Sequence, residues 1–126
     1  RLASGSFTLL LRLGSFFQTV GYNDLAIDAY ERALMVYPES KQALLALGIL
    51  YANNEATWPK AVDSLLKAIW FDKKYILAYL SLGDVYYKQG NFSQARSSWR
   101  KVFEIDSGNQ EAGFLLDNMG LVPFSK

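Results

Sequence analysis

The sequence of 126 residues contains no cysteine and no histidine. Without cysteine the chain has no disulfide, no thiolate nucleophile and no cysteine-rich zinc site, and its cellular compartment stays open. Without histidine it lacks the commonest general base and the commonest metal ligand. We therefore expect no cofactor and no metal.

The sequence also lacks a large excess of either charge and lacks a long apolar run. The 13 basic and 12 acidic residues are interspersed and give a net charge of +1, so no basic field points to nucleic acid or to an anionic membrane. The longest nearly apolar run, residues 43–52, is half of what a membrane-spanning helix needs. We expect no nucleic-acid partner and no membrane insertion. The chain begins at Arg1 rather than methionine, and we expect a fragment or a processed product.

A period of about 34 residues runs through the sequence. Leucine–glycine pairs recur at Gly14, Gly48 and Gly83, and an aromatic residue follows each glycine by three positions. Small residues recur in step with them, at Ala26, Ala61 and Ala95 and again at Ala33, Ala68 and Val102. This period is typical of helix–turn–helix repeats, in which each unit buries its apolar face against its neighbours.

The periodic glycines predict close contact between the two helices of each repeat. A side chain at these positions would push the helices apart, and we expect Tyr30, Leu65 and Trp99 to fill the volume between them.

Local signals predict the helix ends. Ser6, Ser40 and Asn91 are each placed to cap the helix that follows. The extra residue of the second repeat falls within residues 53–57, where Thr57 is the expected N-cap.

The repeating residues resemble the tetratricopeptide repeat family. Repeats at residues 7–40, 41–75 and 76–109, a capping helix at 110–119 and an aperiodic tail at 120–126 would form one domain over residues 1–126. The resemblance implies an all-α, right-handed solenoid with a groove that binds protein or peptide, and it implies no catalysis. The closing proline of each repeat survives only as Pro38, and Asp117 replaces the glycine of a fourth repeat, so we interpret the last helix as a cap.

Family geometry places the groove on the first helix of each repeat. The residues expected to line it are Leu11, Arg12, Ser15, Gln42, Leu45, Ile49, Leu77, Leu80, Asp84, Tyr87, Phe114 and Leu115. Position five of each helix forms an apolar ladder, which consists of Leu11, Leu45, Leu80 and Phe114. Burying four such side chains would contribute roughly 6–12 kcal/mol before association costs of similar size, which predicts micromolar affinity. The alternative is that these residues are partly buried between adjacent helices.

Some family members grip a C-terminal carboxylate with lysine, arginine and asparagine side chains from three helices. The corresponding positions here are Leu11, Ser15, Ala46 and Ser81. The resemblance therefore implies that this chain does not bind the acidic tails of heat-shock chaperones.

We predict a non-enzymatic scaffold that binds an apolar or amphipathic segment of a protein partner. The main alternative is a structural module that forms homo-oligomers through its repeat ends or its convex face. A third hypothesis, an enzyme or its regulatory arm, needs catalytic groups outside this sequence. Six aromatic residues have no obvious core position, and a surface cluster of them would mark a second interface: Phe16, Tyr22, Trp58, Trp70, Tyr75 and Phe103.

Overall fold

The computed structural model describes the backbone of residues 2–119 and the side chains of residues 5–119, so the predicted tail at 120–126 lies outside the described residues. The helices of this range are α1 (Leu2–Val20), α2 (Asn23–Val36), α3 (Lys41–Tyr51), α4 (Trp58–Phe71), α5 (Ile76–Lys88), α6 (Phe92–Ile105) and α7 (Gln110–Met119). Each helix packs on the next along the chain, which confirms the predicted all-α solenoid. None of the helices in residues 2–119 is long and apolar enough to cross a bilayer.

The periodic glycines lie where the helices of each repeat touch. A Cβ atom added to Gly14 would lie 2.8 Å from the ring of Tyr30, and one added to Gly48 would lie 2.5 Å from Cγ of Leu65. At Gly83 an added Cβ would overlap the indole of Trp99. The predicted pairing of a glycine with a large residue is therefore confirmed in all three repeats.

Of the caps predicted at Ser6, Ser40 and Asn91, the last two are confirmed. The Ala43 amide donates to the Ser40 hydroxyl at 3.2 Å, and the Gln94 amide donates to the Asn91 side chain at 3.4 Å. The prediction for Ser6 is wrong, because α1 begins at Leu2 and carries Ser6 inside the helix.

The insertion in the second repeat lies in the predicted turn. It forms a single 3₁₀ turn over Glu55–Thr57, directly before α4. Thr57 occupies the N-cap position of α4, but its hydroxyl makes no capping bond there. It donates instead to the carbonyl of Tyr51 at 2.6 Å and so ties the turn to the end of α3. The other two repeats turn through glycines with positive φ, Gly21 and Gly90.

The core extends along the solenoid as two buried clusters. One buried cluster extends from α2 to α5, and a second joins α5, α6 and α7 around Trp99. An ion pair also ties the start of α3 to the end of α4, where Lys41 Nζ lies 2.5 Å from Asp72 Oδ2. The hydrogen bond from Lys41 holds the pKa of Asp72 below its usual value.

Candidate functional site

The predicted groove residues all lie on α1, α3, α5 and α7, the first helices of successive units. We call this side of the molecule the A-helix face. Two of these helices, α3 and α5, contact each other directly, so the second and third repeats bring their first helices together.

The structure separates the predicted residues by exposure. Eight are exposed, namely Arg12, Ser15, Gln42, Ile49, Leu77, Asp84, Tyr87 and Phe114. Leu11, Leu45 and Leu115 are half-buried against the core. Leu80 is only 6% exposed.

The four-residue ladder is therefore uneven. Phe114 is 66% exposed, whereas Leu80 lies in the core cluster that contains Trp99 and Met119. The expectation that Leu80 lies on an open wall needs correction. Because Gly83 has no side chain, Trp99 comes close enough for its Nε1 to donate to the Leu80 carbonyl at 3.2 Å. Ala112 and Met119 of α7 complete the same cluster. The neighbouring Leu77 is 56% exposed instead.

A cavity opens at the C-terminal end of the A-helix face. Its volume is about 320 Å³. It is lined by Asp84, Tyr87 and Lys88 of α5, Trp99 of α6, and Leu115, Asn118 and Met119 of α7. We call it the α5–α7 cavity. Three of these, Asp84, Tyr87 and Leu115, are among the twelve predicted groove residues, whereas Trp99 was predicted to fill the space between two helices.

A sequence signal for this cavity did exist. Trp99 stands where the first two repeats have Tyr30 and Leu65, and an indole is larger than either side chain. It therefore fills the space between α5 and α6 and still reaches the cavity wall.

The polar groups of the cavity come from two turns of α5 and the end of α7. Partial burial raises the pKa of Asp84, and the negative charge of Glu111 raises it further. The positive charge of Lys88 lowers the Asp84 pKa, but this effect is smaller than that of burial or of Glu111. The Lys88 ammonium itself donates to the Ala52 carbonyl at 3.3 Å.

A second apolar surface lies at the N-terminal end of the molecule. On α1, Leu9, Leu13 and Phe16 are 55%, 37% and 59% exposed. We call these three residues the N-terminal face. Their equivalents in the next two repeats are at most 4% exposed: Ala43, Leu47 and Leu50, then Ala78, Leu82 and Val85. In those repeats the second helix of the preceding repeat packs on this side, as α2 does on α3 and α4 on α5.

The six aromatic residues without obvious positions fall into two groups. Trp58, Tyr75 and Phe103 are half-buried. Phe16, Tyr22 and Trp70 are between 59% and 70% exposed. Phe16 belongs to the N-terminal face and lies against Phe17 with ring centroids 5.8 Å apart. Trp70 lies apart on α4, under the ammonium of Lys73.

Comparison with protein families identifies the repeats. Models of the tetratricopeptide repeat match residues 7–40, 57–90 and 76–109. The chain belongs to the tetratricopeptide repeat family.

Relatives within this family are larger proteins. The tetratricopeptide chain is 32% identical over 95 residues to the small glutamine-rich tetratricopeptide repeat-containing protein 2 of Saccharomyces cerevisiae. The match covers 71% of this chain and 28% of that protein. The chain thus spans less than a third of the length of this relative.

Solved structures share the fold over nearly the whole chain. The first tetratricopeptide repeat domain of Spaghetti (RPAP3), bound to the HSP90 peptide SRMEEVD, superimposes with a TM-score of 0.85 at 20% identity, covering 94% of this chain and 95% of that one. MamA superimposes with a TM-score of 0.81 at 27% identity, covering 91% of this chain and 69% of that one. The second tetratricopeptide repeat domain of human RPAP3, solved in complex with the HSP70 peptide SGPTIEEVD, shares the fold with a TM-score of 0.85 at 19% identity.

Proposed function

We propose that this tetratricopeptide domain is a non-catalytic interaction module that binds an apolar or amphipathic segment of a partner protein along its A-helix face. The observation that carries this proposal is the exposure of large apolar side chains on three successive first helices. Ile49 of α3, Leu77 of α5 and Phe114 of α7 are 39%, 56% and 66% exposed.

The binding energy expected from apolar contacts is smaller than the value predicted for a ladder of four exposed side chains. Leu80 is already buried, and Leu11 and Leu45 are half-buried, so a ligand gains little from covering them. Covering the exposed fractions of Ile49, Leu77 and Phe114 would contribute roughly 2–5 kcal/mol before association costs. Further contacts are needed to reach micromolar affinity, and the α5–α7 cavity can provide some of them.

The ligand we propose differs from an acidic C-terminal tail. The family positions for a carboxylate clamp hold Leu11, Ser15, Ala46 and Ser81. None of these side chains carries a positive charge, so a terminal carboxylate would lose its hydration without gaining a cation.

Selection of peptide ligands tests the proposal. The domain is used to select from a displayed library of random peptides, and the affinities of enriched peptides are measured by fluorescence anisotropy. Leu77→Glu combined with Phe114→Glu should abolish binding while circular dichroism stays unchanged. The matched control is Met35→Glu with Leu66→Glu, which adds the same two charges at exposed apolar sites on α2 and α4.

The results separate the proposal from its rivals. If no peptide is enriched, or if the A-helix variant binds as tightly as the control, peptides do not bind on this face. A peptide with a free acidic C-terminus that outcompetes all others would contradict the proposed ligand class.

The N-terminal face supports a second candidate function, which is self-association. Leu9, Leu13 and Phe16 offer a continuous apolar stripe whose equivalents are buried in the other repeats. Among residues 5–20, Arg12 is the only charged residue, so two copies of this helix would not repel each other strongly.

Light scattering over a concentration series tests self-association. A rise in molar mass with concentration is expected, and Phe16→Glu should reverse it. Met35→Glu is the matched control, since Met35 is 82% exposed on α2. A chain that stays monomeric throughout the series does not assemble through this face.

A further inference from the structure

The α5–α7 cavity combines an apolar interior with acidic groups at its edge. Trp99, Leu115 and Met119 contribute its apolar walls, together with the ring of Tyr87. Its volume of about 320 Å³ is at the lower end of the range for ligand pockets. It therefore suits a single large apolar side chain of a peptide better than a whole small-molecule ligand.

The charge around the cavity is unbalanced. Asp84 lines it from α5, and Glu111 stands in the first turn of α7. No hydrogen bond or close ion pair to the Asp84 carboxylate occurs within the described range of residues 5–119. The remaining charge in the lining is Lys88, whose ammonium already bonds to the Ala52 carbonyl.

The electrostatic environment of Asp84 indicates which ligand charge fits. The pKa of its carboxyl is raised by partial burial and by Glu111, and the cation of Lys88 does not cancel these effects. Burial disfavours a charge of either sign, but the negative charge of Glu111 beside the Asp84 carboxylate favours a positive charge on a ligand.

We propose that the α5–α7 cavity selects partner segments in which a large apolar residue is accompanied by a lysine or arginine. The apolar residue enters the cavity, and the cation pairs with Asp84 at its edge, with Glu111 contributing to the attraction. This inference rests on the proposed function, because it names the ligand chemistry of the same A-helix face. It adds a residue that determines specificity, Asp84, to a surface whose other contacts are mainly apolar.

The peptide selection provides the test. Peptides enriched against the wild-type domain should contain lysine or arginine near an aromatic or aliphatic residue. Asp84→Asn should weaken their binding about three- to tenfold, the range expected for a partly exposed charged contact. Glu111→Gln should weaken it less, and replacing the basic residue of the peptide by glutamine should remove the effect of both variants.

Asp24→Asn is the control for net charge. It changes the charge of the domain by the same amount at an exposed position in the first turn of α2. Its affinity for the selected peptides should equal that of the wild type.

The outcomes distinguish this inference from the proposed function. If the selection gives no binding peptide, the proposed function fails and the inference fails with it. If peptides bind to the A-helix face but lack basic residues, or if Asp84→Asn behaves like Asp24→Asn, the inference alone is overturned.

Discussion

Replacing Gly48 by alanine should destabilise the domain, although alanine is the better helix former. The added Cβ would lie 2.5 Å from Cγ of Leu65, a side chain that is fully buried. Overpacking of this kind typically costs about 1–3 kcal/mol. Alanine recovers about 0.5–1 kcal/mol of helix propensity, so we expect a net loss of up to about 2.5 kcal/mol.

The same substitution at Gly5 separates packing from propensity. Gly5 lies in α1, and no atom lies within 4 Å of a Cβ added there. Gly5→Ala should therefore stabilise the domain by up to about 1 kcal/mol. The difference in unfolding free energy between the two variants, measured by urea denaturation with circular dichroism, isolates the packing cost at Gly48.

A double-mutant cycle identifies the clashing partner. Leu65→Ala alone should cost about 2–5 kcal/mol. In the double variant the alanine at position 48 occupies space that Leu65 has vacated. Its loss of unfolding free energy should therefore be smaller, by about 1–2 kcal/mol, than the sum of the losses in the two single variants. Additive effects, or a Gly48→Ala variant as stable as Gly5→Ala, would refute the assigned contact between α3 and α4.

Four further predictions concern burial, charge and the end of the solenoid. Leu80→Glu should lower the melting temperature strongly, because it buries a charge, whereas Leu77→Glu at an exposed position should leave it nearly unchanged; equal melting temperatures would contradict the assigned burial. Asp84→Asn should raise the melting temperature at neutral pH. The pKa of Asp84 is raised in the folded chain, so its ionised form costs stability above the unfolded-state pKa of 3.8. The gain from the substitution should vanish below pH 3.8. Asp72→Asn should instead lower the melting temperature at neutral pH. The pKa of Asp72 is lowered in the folded chain, so its ionised form adds stability above pH 3.8, and this stability is lost as the pH falls through the folded-state pKa. Thermal melts over a pH series check both variants. Deleting residues 110–126 should cause aggregation, because Ala112 and Met119 no longer cover Trp99 and Val102. A chain that ends at residue 119 is the control. If the chain without residues 110–126 stays monomeric, α7 is not a cap.

The repeat architecture could be predicted from the sequence because its period is fixed by helix packing. Glycine at 14, 48 and 83 has a mechanical reason in each repeat, since a large side chain of the second helix lies against it. The helix ends could be predicted where a single side chain caps a backbone amide, as Ser40 does.

The candidate site could be predicted only in part. All twelve groove residues lie on the first helices, but Leu80 and Leu77 differ by three positions on one helix and have opposite exposure. What decides between them is the size of Trp99 and the position of α7, which depend on tertiary packing rather than on the repeat pattern. The α5–α7 cavity was missed for the same reason, since its walls come from three helices.

The packing order of the helices has a consequence for folding and for partner binding. The main contacts join helices that are adjacent in the sequence or, for α3 and α5, separated by one helix. Short sequence separations of this kind favour folding within microseconds to milliseconds, and they allow a terminal repeat to open while the others stay folded. A bound segment that contacts α3, α5 and α7 at once would couple these local openings, so the complex would unfold more cooperatively than the free domain.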